Sequence, residues 1–259
     1  MSDNISYLKI PHLLGLQKGD VVLLSSDLRG ILVSCLKNGE RFDGHKFLEE
    51  FLSVVGDTGT LLLPTYSWDF CHGKVFDYIN TPSCTGSLST LALKRDDFKR
   101  TRHPLYSFAV AGKYQDLLVS MDNKSSFGSD SPFSFMELTK AKNIIIDVNL
   151  THSFTYVHYN EERAGINTYR FLKSFTSIYR DENGQESERT YTMLVRDLND
   201  YYGTDFDPLE EEFKSKGIMT ISVINGVTYR VVDLFKASAV ILDDVRNNQS
   251  RKLCKHKWQ

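Results

Sequence analysis

The stretch from Thr151 to Gly165 gathers two imidazoles, two adjacent carboxylates and several hydroxyls into one short segment. It follows the apolar run Ile144-Ile145-Ile146 and reads as a buried strand feeding a short helix, with Thr151 or Ser153 as N-cap and Gly165 as the C-terminal stop. On that helix Thr155, His158 and Glu161 fall at i, i+3 and i+6 and share one face, while Glu162 stands four residues after His158. A carboxylate beside an imidazole fixes its tautomer and raises its basicity. That is what a general base for deprotonating an amine or hydroxyl requires. The same spacing also describes a solvated surface pair. A metal site built from His152, His158 and Glu161 is a further alternative, but a helical carboxylate centre needs a second matching helix, and the sequence offers none.

Other elements bring polar groups to strand ends. A short helix and turn from Leu13 to Gly19 precedes the buried strand Val21-Val22-Leu23-Leu24, which ends at Ser25-Ser26-Asp27. Phe47, Leu48, Phe51, Leu52 and Val55 recur at helical spacing from Asp43 to Val55, ahead of the strand Thr60 to Pro64. After it, Thr65-Tyr66-Ser67-Trp68-Asp69-Phe70 mixes aromatic and polar side chains as a pocket rim does. Residues 71–84 read as a loop, followed by a helix from about Gly86 to Arg95. Arg100-Thr101-Arg102-His103-Pro104 is a polar knot before the strand Ser107 to Gly112. Lys113 to Met121 and Phe133 to Lys140 read as helices, the second with Ser131 as N-cap and Pro132 at its first position. Beyond Gly165, strands over Tyr169 to Arg180 and Arg189 to Val195 flank an Asn183-Gly184 turn, and Asn225-Gly226 joins a second hairpin. Asp233 then caps a helix to about Val245. The expectation is one mixed-sheet domain over residues 1–259 with an antiparallel extension.

At 41% hydrophobic and 25% charged residues the composition is that of an ordinary globular protein. No apolar run is long enough to span a membrane and the first residues lack signal-peptide order, so a cytoplasmic location is expected. Cys35, Cys71, Cys84 and Cys254 have no paired spacing and read as reduced thiols. A net charge of -2 argues against a nucleic-acid surface, and the basic run Arg251 to Lys257 reads as a solvated terminus. Dinucleotide, P-loop, serine-hydrolase and zinc-protease signatures are missing.

Five segments in order carry a resemblance. They are Gly19-Asp20-Val21-Val22-Leu23-Leu24-Ser25-Ser26 with Leu28; Gly59-Thr60 through Pro64-Thr65; Arg100-x-x-His103-Pro104-x-x-Ser107-Phe108-Ala109-x-x-Gly112; Phe127-Gly128-x-x-Ser131-Pro132; and Thr155-x-x-His158-x-x-Glu161. Together, from Gly19 to Phe175, they resemble the aminoglycoside 3-N-acetyltransferase family of coenzyme A-dependent acyltransferases. The resemblance implies a three-layer α/β/α mixed sheet with an antiparallel, hairpin-rich C-terminal portion. It also implies an acyl-coenzyme A co-substrate, no metal, and acyl transfer to a sugar amine. By the same resemblance His158 is the general base and Glu161 orients it, while Ser25 and Ser26 face the acyl-coenzyme A arm. Arg100 and His103 brace the pocket or contact the pantetheine arm, and Ser107 joins the two serines in holding the thioester oxygen. Asp69, with Tyr66 and Thr155, is the candidate contact for the acceptor amine. Where the family usually has a histidine just before the two serines, this chain has Leu24.

The near-neutral charge, with Arg170 and Lys173 in the stretch Asn167 to Lys173, favours an anionic acceptor. An amino sugar linked to a nucleotide diphosphate (dTDP-type) is therefore expected, with an aminoglycoside resistance enzyme as the alternative. A non-catalytic binding protein of the same fold is another, against which the presence of both His158 and Glu161 argues. The hairpins could supply an oligomer interface.

Overall fold

Val21 to Leu24, Leu61 to Leu63 and Ile144 to Ile146 are too uniformly apolar to have a solvent face, so they form strands buried on both sides. The structure, a computed structural model, describes residues 4–165, 169–197, 199 and 201–256. In chain order the first elements are α1 (Ile10–Leu13), β1 (Val21–Ser26), α2 (Arg29–Lys37), α3 (Gly44–Val55), β2 (Thr60–Pro64), β3 (Phe76–Asp77), α4 (Ser87–Ala92), β4 (Lys99–Arg100) and β5 (Phe108–Gly112). Next come α5 (Gln115–Ser120), α6 (Pro132–Leu138), β6 (Lys142–Ile146), α7 (Leu150–Ser153) and α8 (Val157–Ala164). The last are β7 (Arg170–Arg180), β8 (Glu186–Arg196), β9 (Tyr201–Thr204), α9 (Pro208–Ser215), β10 (Met219–Ile224), β11 (Val227–Asp233), α10 (Leu234–Asn247) and β12 (Cys254–His256).

Seven strands form the main sheet in the order β10-β11-β6-β1-β2-β5-β4. β6, β1 and β2 are parallel at its centre, with Leu23 opposite Leu62 on one side and Asn143 on the other, and the flanking strands are antiparallel. Alternate residues divide between two cores. Leu23, Leu62 and Ile145 pack with Phe133, Met136, Val157 and Ile241, contributed by α6, α8 and α10. Leu24, Leu61, Leu63, Ile144 and Ile146 pack with Ile10, Ile31, Phe47, Phe51 and Leu88, contributed by α1 to α4. The result is three layers, α/β/α, and each fully buried leucine contributes about 2 kcal/mol. β3, β7 and β8 form a second sheet, and β9 pairs with β12.

Local chemistry explains several element ends. Asp43 caps α3 by accepting from His45 N at 2.9 Å, and Asp233 caps α10 by accepting from Lys236 N at 3.0 Å. Asn225 and Gly226 both have positive φ, as a two-residue hairpin turn requires. Three expectations need correction. The first helical turns lie earlier than Leu13 to Gly19, because Pro11 suits a first turn and Gly15 at φ 69 ends the segment. The segment 151–165 holds two helices, α7 and α8, separated at Phe154 (φ -95, ψ 59). Its cap is neither Thr151 nor Ser153 but Asn149, whose Oδ1 accepts from His152 N at 3.2 Å; Gly165 ends α8 at φ 68 as expected. Among the described residues no helix is long and apolar enough to cross a membrane.

Candidate active site

The carboxyl ends of β6, β1 and β2 open at the same edge of the sheet, with β1 reached from opposite faces, the usual place for a ligand in an open α/β sheet. A cleft of about 630 Å³ lies there. β1 contributes Ser25 and Ser26, the segment after β2 contributes Tyr66 and Trp68, and the segment after β6 contributes Val148, Ser153 and Thr155. Thr85, Gly86 and Ser87 close another wall at the start of α4. The two serines and Thr155 thus meet, as the sequence suggested.

His158 stands one turn behind Thr155, whose carbonyl accepts from His158 N at 3.0 Å. Its side chain is only 13% exposed and its Nδ1 donates to Glu161 Oε2 at 2.6 Å. The same carboxylate oxygen lies 3.2 Å from Arg170 Nε, and the other accepts from the Tyr169 hydroxyl. Phe127 and Phe206 present rings to the imidazole edge-on, with centroids at 5.4 and 5.6 Å. Burial and the nearby Arg170 charge lower the His158 pKa against the raising pull of Glu161, so the imidazole rests neutral. Burial works to raise Glu161, but Arg170 and His158 outweigh it and hold the carboxyl below its ordinary value. Among the described residues His158 Nε2 makes no hydrogen bond, which leaves a lone pair available.

Arg100, His103 and Ser107 do not reach the cleft. Arg100, 4% exposed, donates to Ser107 Oγ at 3.0 Å, Thr81 O at 2.5 Å and Thr65 O at 3.0 Å. Ser107 is fully buried and donates to Thr65 O at 2.8 Å, so its hydroxyl serves the loop after β2 and is not placed to hold a thioester oxygen. His103 Nδ1 accepts from the amides of Leu105 at 3.3 Å and Tyr106 at 3.2 Å, which folds the chain into β5. These residues brace the rim, because two loop carbonyls, Thr65 O and Thr81 O, and the amides of Leu105 and Tyr106 find partners in these side chains.

Asp69 is 48% exposed and pairs with Lys74 Nζ at 3.0 Å, away from the cleft wall. Tyr66 does line the cleft and packs edge-on to Tyr106 with centroids 4.8 Å apart. His152 also lines it but bonds Asn149 Oδ1 through Nδ1 at 2.6 Å, so it does not join His158 and Glu161 in a metal set. The charge expectation weakens as well. Arg170 is 9% exposed and neutralised by Glu161, Lys173 lies 5.3 Å from the centroid of the Phe175 ring, and Asn167 falls outside the described residues. Sequence reasoning missed Tyr169, Arg170 and Phe206 as partners of the His-Glu pair, and no spacing signal marks them.

No curated protein matches the chain by sequence. Among solved structures it is similar to sisomicin-bound AAC-VIa, at a TM-score of 0.78 and 18% identity over 93% of this chain and 97% of that one. It is also similar to YokD from Bacillus subtilis, at 0.76 and 20% over 97% of each. A third is AAC-IIIb in a binary complex with CoASH, at 0.76 and 17% over 94% and 96%. A family match then spans residues 26–243, which hold His158, Glu161, their partners and every cleft-lining residue but Ser25, so the chain belongs to the aminoglycoside 3-N-acetyltransferase family.

Proposed function

We propose that the protein is an acetyl-coenzyme A-dependent N-acetyltransferase that acylates an amine of an aminoglycoside-type amino sugar by direct attack, with His158 as general base. The observation that carries this reading is the buried His158–Glu161 pair, which follows the cleft-lining Thr155 by one helical turn and leaves Nε2 without a hydrogen bond among the described residues. A sugar ammonium is no nucleophile until it loses a proton. A neutral imidazole whose Nδ1–H is held by Glu161 takes that proton at Nε2. The amine nitrogen then bonds to the thioester carbon, and the oxyanion is received by donors at the Ser25–Ser26 strand end. Collapse breaks the carbon–sulfur bond, the proton on His158 leaves with the coenzyme A thiolate, and the extra proton on the acylated nitrogen passes to the Nε2 so freed and on to solvent, leaving the neutral amide.

Membership of the family supports the aminoglycoside acceptor over the nucleotide-linked sugar. Of the cations that suggested an anionic acceptor, Arg170 is paired with Glu161, and Lys173 is exposed beside the Phe175 ring. The test is free-thiol release from acetyl-coenzyme A against sisomicin, other aminoglycosides and nucleotide-linked amino sugars, for wild type and His158→Ala. Release with aminoglycosides, falling by about 10²-fold or more in the variant, is expected. Turnover undiminished in His158→Ala sinks the base, and release only with nucleotide-linked sugars sinks the acceptor.

A further inference from the structure

Arg170 is the one cation packed directly on the His158–Glu161 pair among the described residues, and it is fixed from three sides. Its Nε forms an ion pair with Glu161 Oε2 at 3.2 Å without hydrogen-bond geometry, its Nη2 donates to Thr204 Oγ1 at 3.0 Å, and its guanidinium sits 5.0 Å from the centroid of the Tyr169 ring. Glu161 Oε2 also receives Nδ1–H of His158 at 2.6 Å. One oxygen therefore serves a potential base and a permanent cation at once. We infer that Arg170 is a positioning residue for the reaction: it clamps the shared carboxylate oxygen against Nδ1–H and supplies the charge that leaves His158 an unprotonated base. This rests on the reading of His158 as that base.

The physical argument is a choice of partner. A buried carboxylate beside an imidazole with no other cation favours the imidazolium–carboxylate ion pair, and an imidazole already protonated cannot accept the proton of an amine. With Arg170 present the carboxylate charge is already balanced. His158 then need only donate a hydrogen bond through Nδ1. Among the described residues, the charged and titratable groups facing His158 and Glu161 are Tyr169 just before β7, Arg170 at its start, Arg196 at the end of β8, Tyr106 before β5 and Cys254 in β12. The loop residues Phe127 and Phe206 bring only neutral rings. Among the described residues Arg170 alone of the cations contacts the shared oxygen.

The test is the pH dependence of kcat at saturating acceptor and acetyl-coenzyme A in wild type, Arg170→Met, Arg170→Lys and His158→Ala. In Arg170→Met the acid limb of kcat is expected to move up by about one pH unit or more, with activity recovering at alkaline pH. Arg170→Lys restores the charge and returns the limb toward wild type. A purely structural role lowers kcat evenly with the limb unmoved, and that result overturns the inference. If Arg170→Met does not fold, Thr204→Val, which removes only the hydroxyl anchoring Nη2, is expected to move the limb the same way by a smaller amount; no movement again overturns it. The two readings fail separately. Loss of turnover in His158→Ala with an unmoved limb in the Arg170 variants refutes only the role of Arg170, whereas full turnover in His158→Ala refutes the base itself.

Discussion

Replacing Arg100 by methionine distinguishes a brace from a co-substrate contact. The side chain donates to Ser107 Oγ at 3.0 Å, Thr81 O at 2.5 Å and Thr65 O at 3.0 Å, and its guanidinium lies 4.8 Å from the centroid of the Phe76 ring. Burial pulls its pKa down to about 10. Methionine keeps much of the stem but removes three buried hydrogen bonds, each worth about 1 kcal/mol, and leaves Thr81 O without its side-chain donor, whereas Thr65 O keeps the Ser107 hydroxyl at 2.8 Å. Releasing a desolvated cation offsets part of that, so the net loss is about 2–3 kcal/mol. For a chain of this size about 2–4 °C of Tm goes with each kcal/mol, which gives a fall of roughly 4–12 °C. Thermal unfolding followed by near-UV circular dichroism measures it, beside KM for acetyl-coenzyme A on the folded variant. The expected pair is a lower Tm with KM within about twofold of wild type. A Tm within about 1 °C of wild type and a KM raised about tenfold refutes the reasoning, because Arg100 then contacts the co-substrate and not the loop.

Two further perturbations probe the same framework. His103 has its pKa lowered from 6.5 to about 3 by burial, so between those values the unfolded chain binds a proton that the folded chain does not. Its contribution to stability is complete above pH 6.5 and is lost as the pH falls toward 3; His103→Asn is expected to flatten the slope of stability by up to about 1.4 kcal/mol per pH unit, read from urea midpoints across that window. An unchanged slope contradicts the burial of a neutral imidazole there. Gly112 sits at φ 109, where an added Cβ lies 2.4 Å from Gly59 O and 2.9 Å from Thr60 Cα. Gly112→Ala is therefore expected to cost about 2–3 kcal/mol while leaving acetyl transfer per folded molecule unchanged; a wild-type urea midpoint contradicts that close approach.

The chain's local chemistry was legible where a single segment settles its own geometry. Leu61 to Leu63 and Ile144 to Ile146 read as buried strands and are so, and Asp233 caps the helix it precedes. Asn225-Gly226 turns a hairpin. The meeting of Ser25, Ser26 and Thr155 at one cleft followed from parallel strands delivering their carboxyl ends to the same edge. The weaker expectations were those resting on residue type alone. Arg100, Ser107 and His103 are polar and adjacent to strands, but their orbitals point at loop backbone groups that the sequence does not display as unpaired.

The amino-acid sequence by itself determined the layered sheet, the helix carrying His158 three residues before Glu161, and the family. Each is encoded in periodicity, caps and ordered short segments, which act over a few residues. Only the tertiary structure decided what surrounds that pair. Arg170 reaches Glu161 from the next strand, and Phe206 meets His158 from a distant loop. Such contacts depend on how separate elements pack, and the desolvation that keeps the imidazole neutral is a property of the assembled interior and of no single segment.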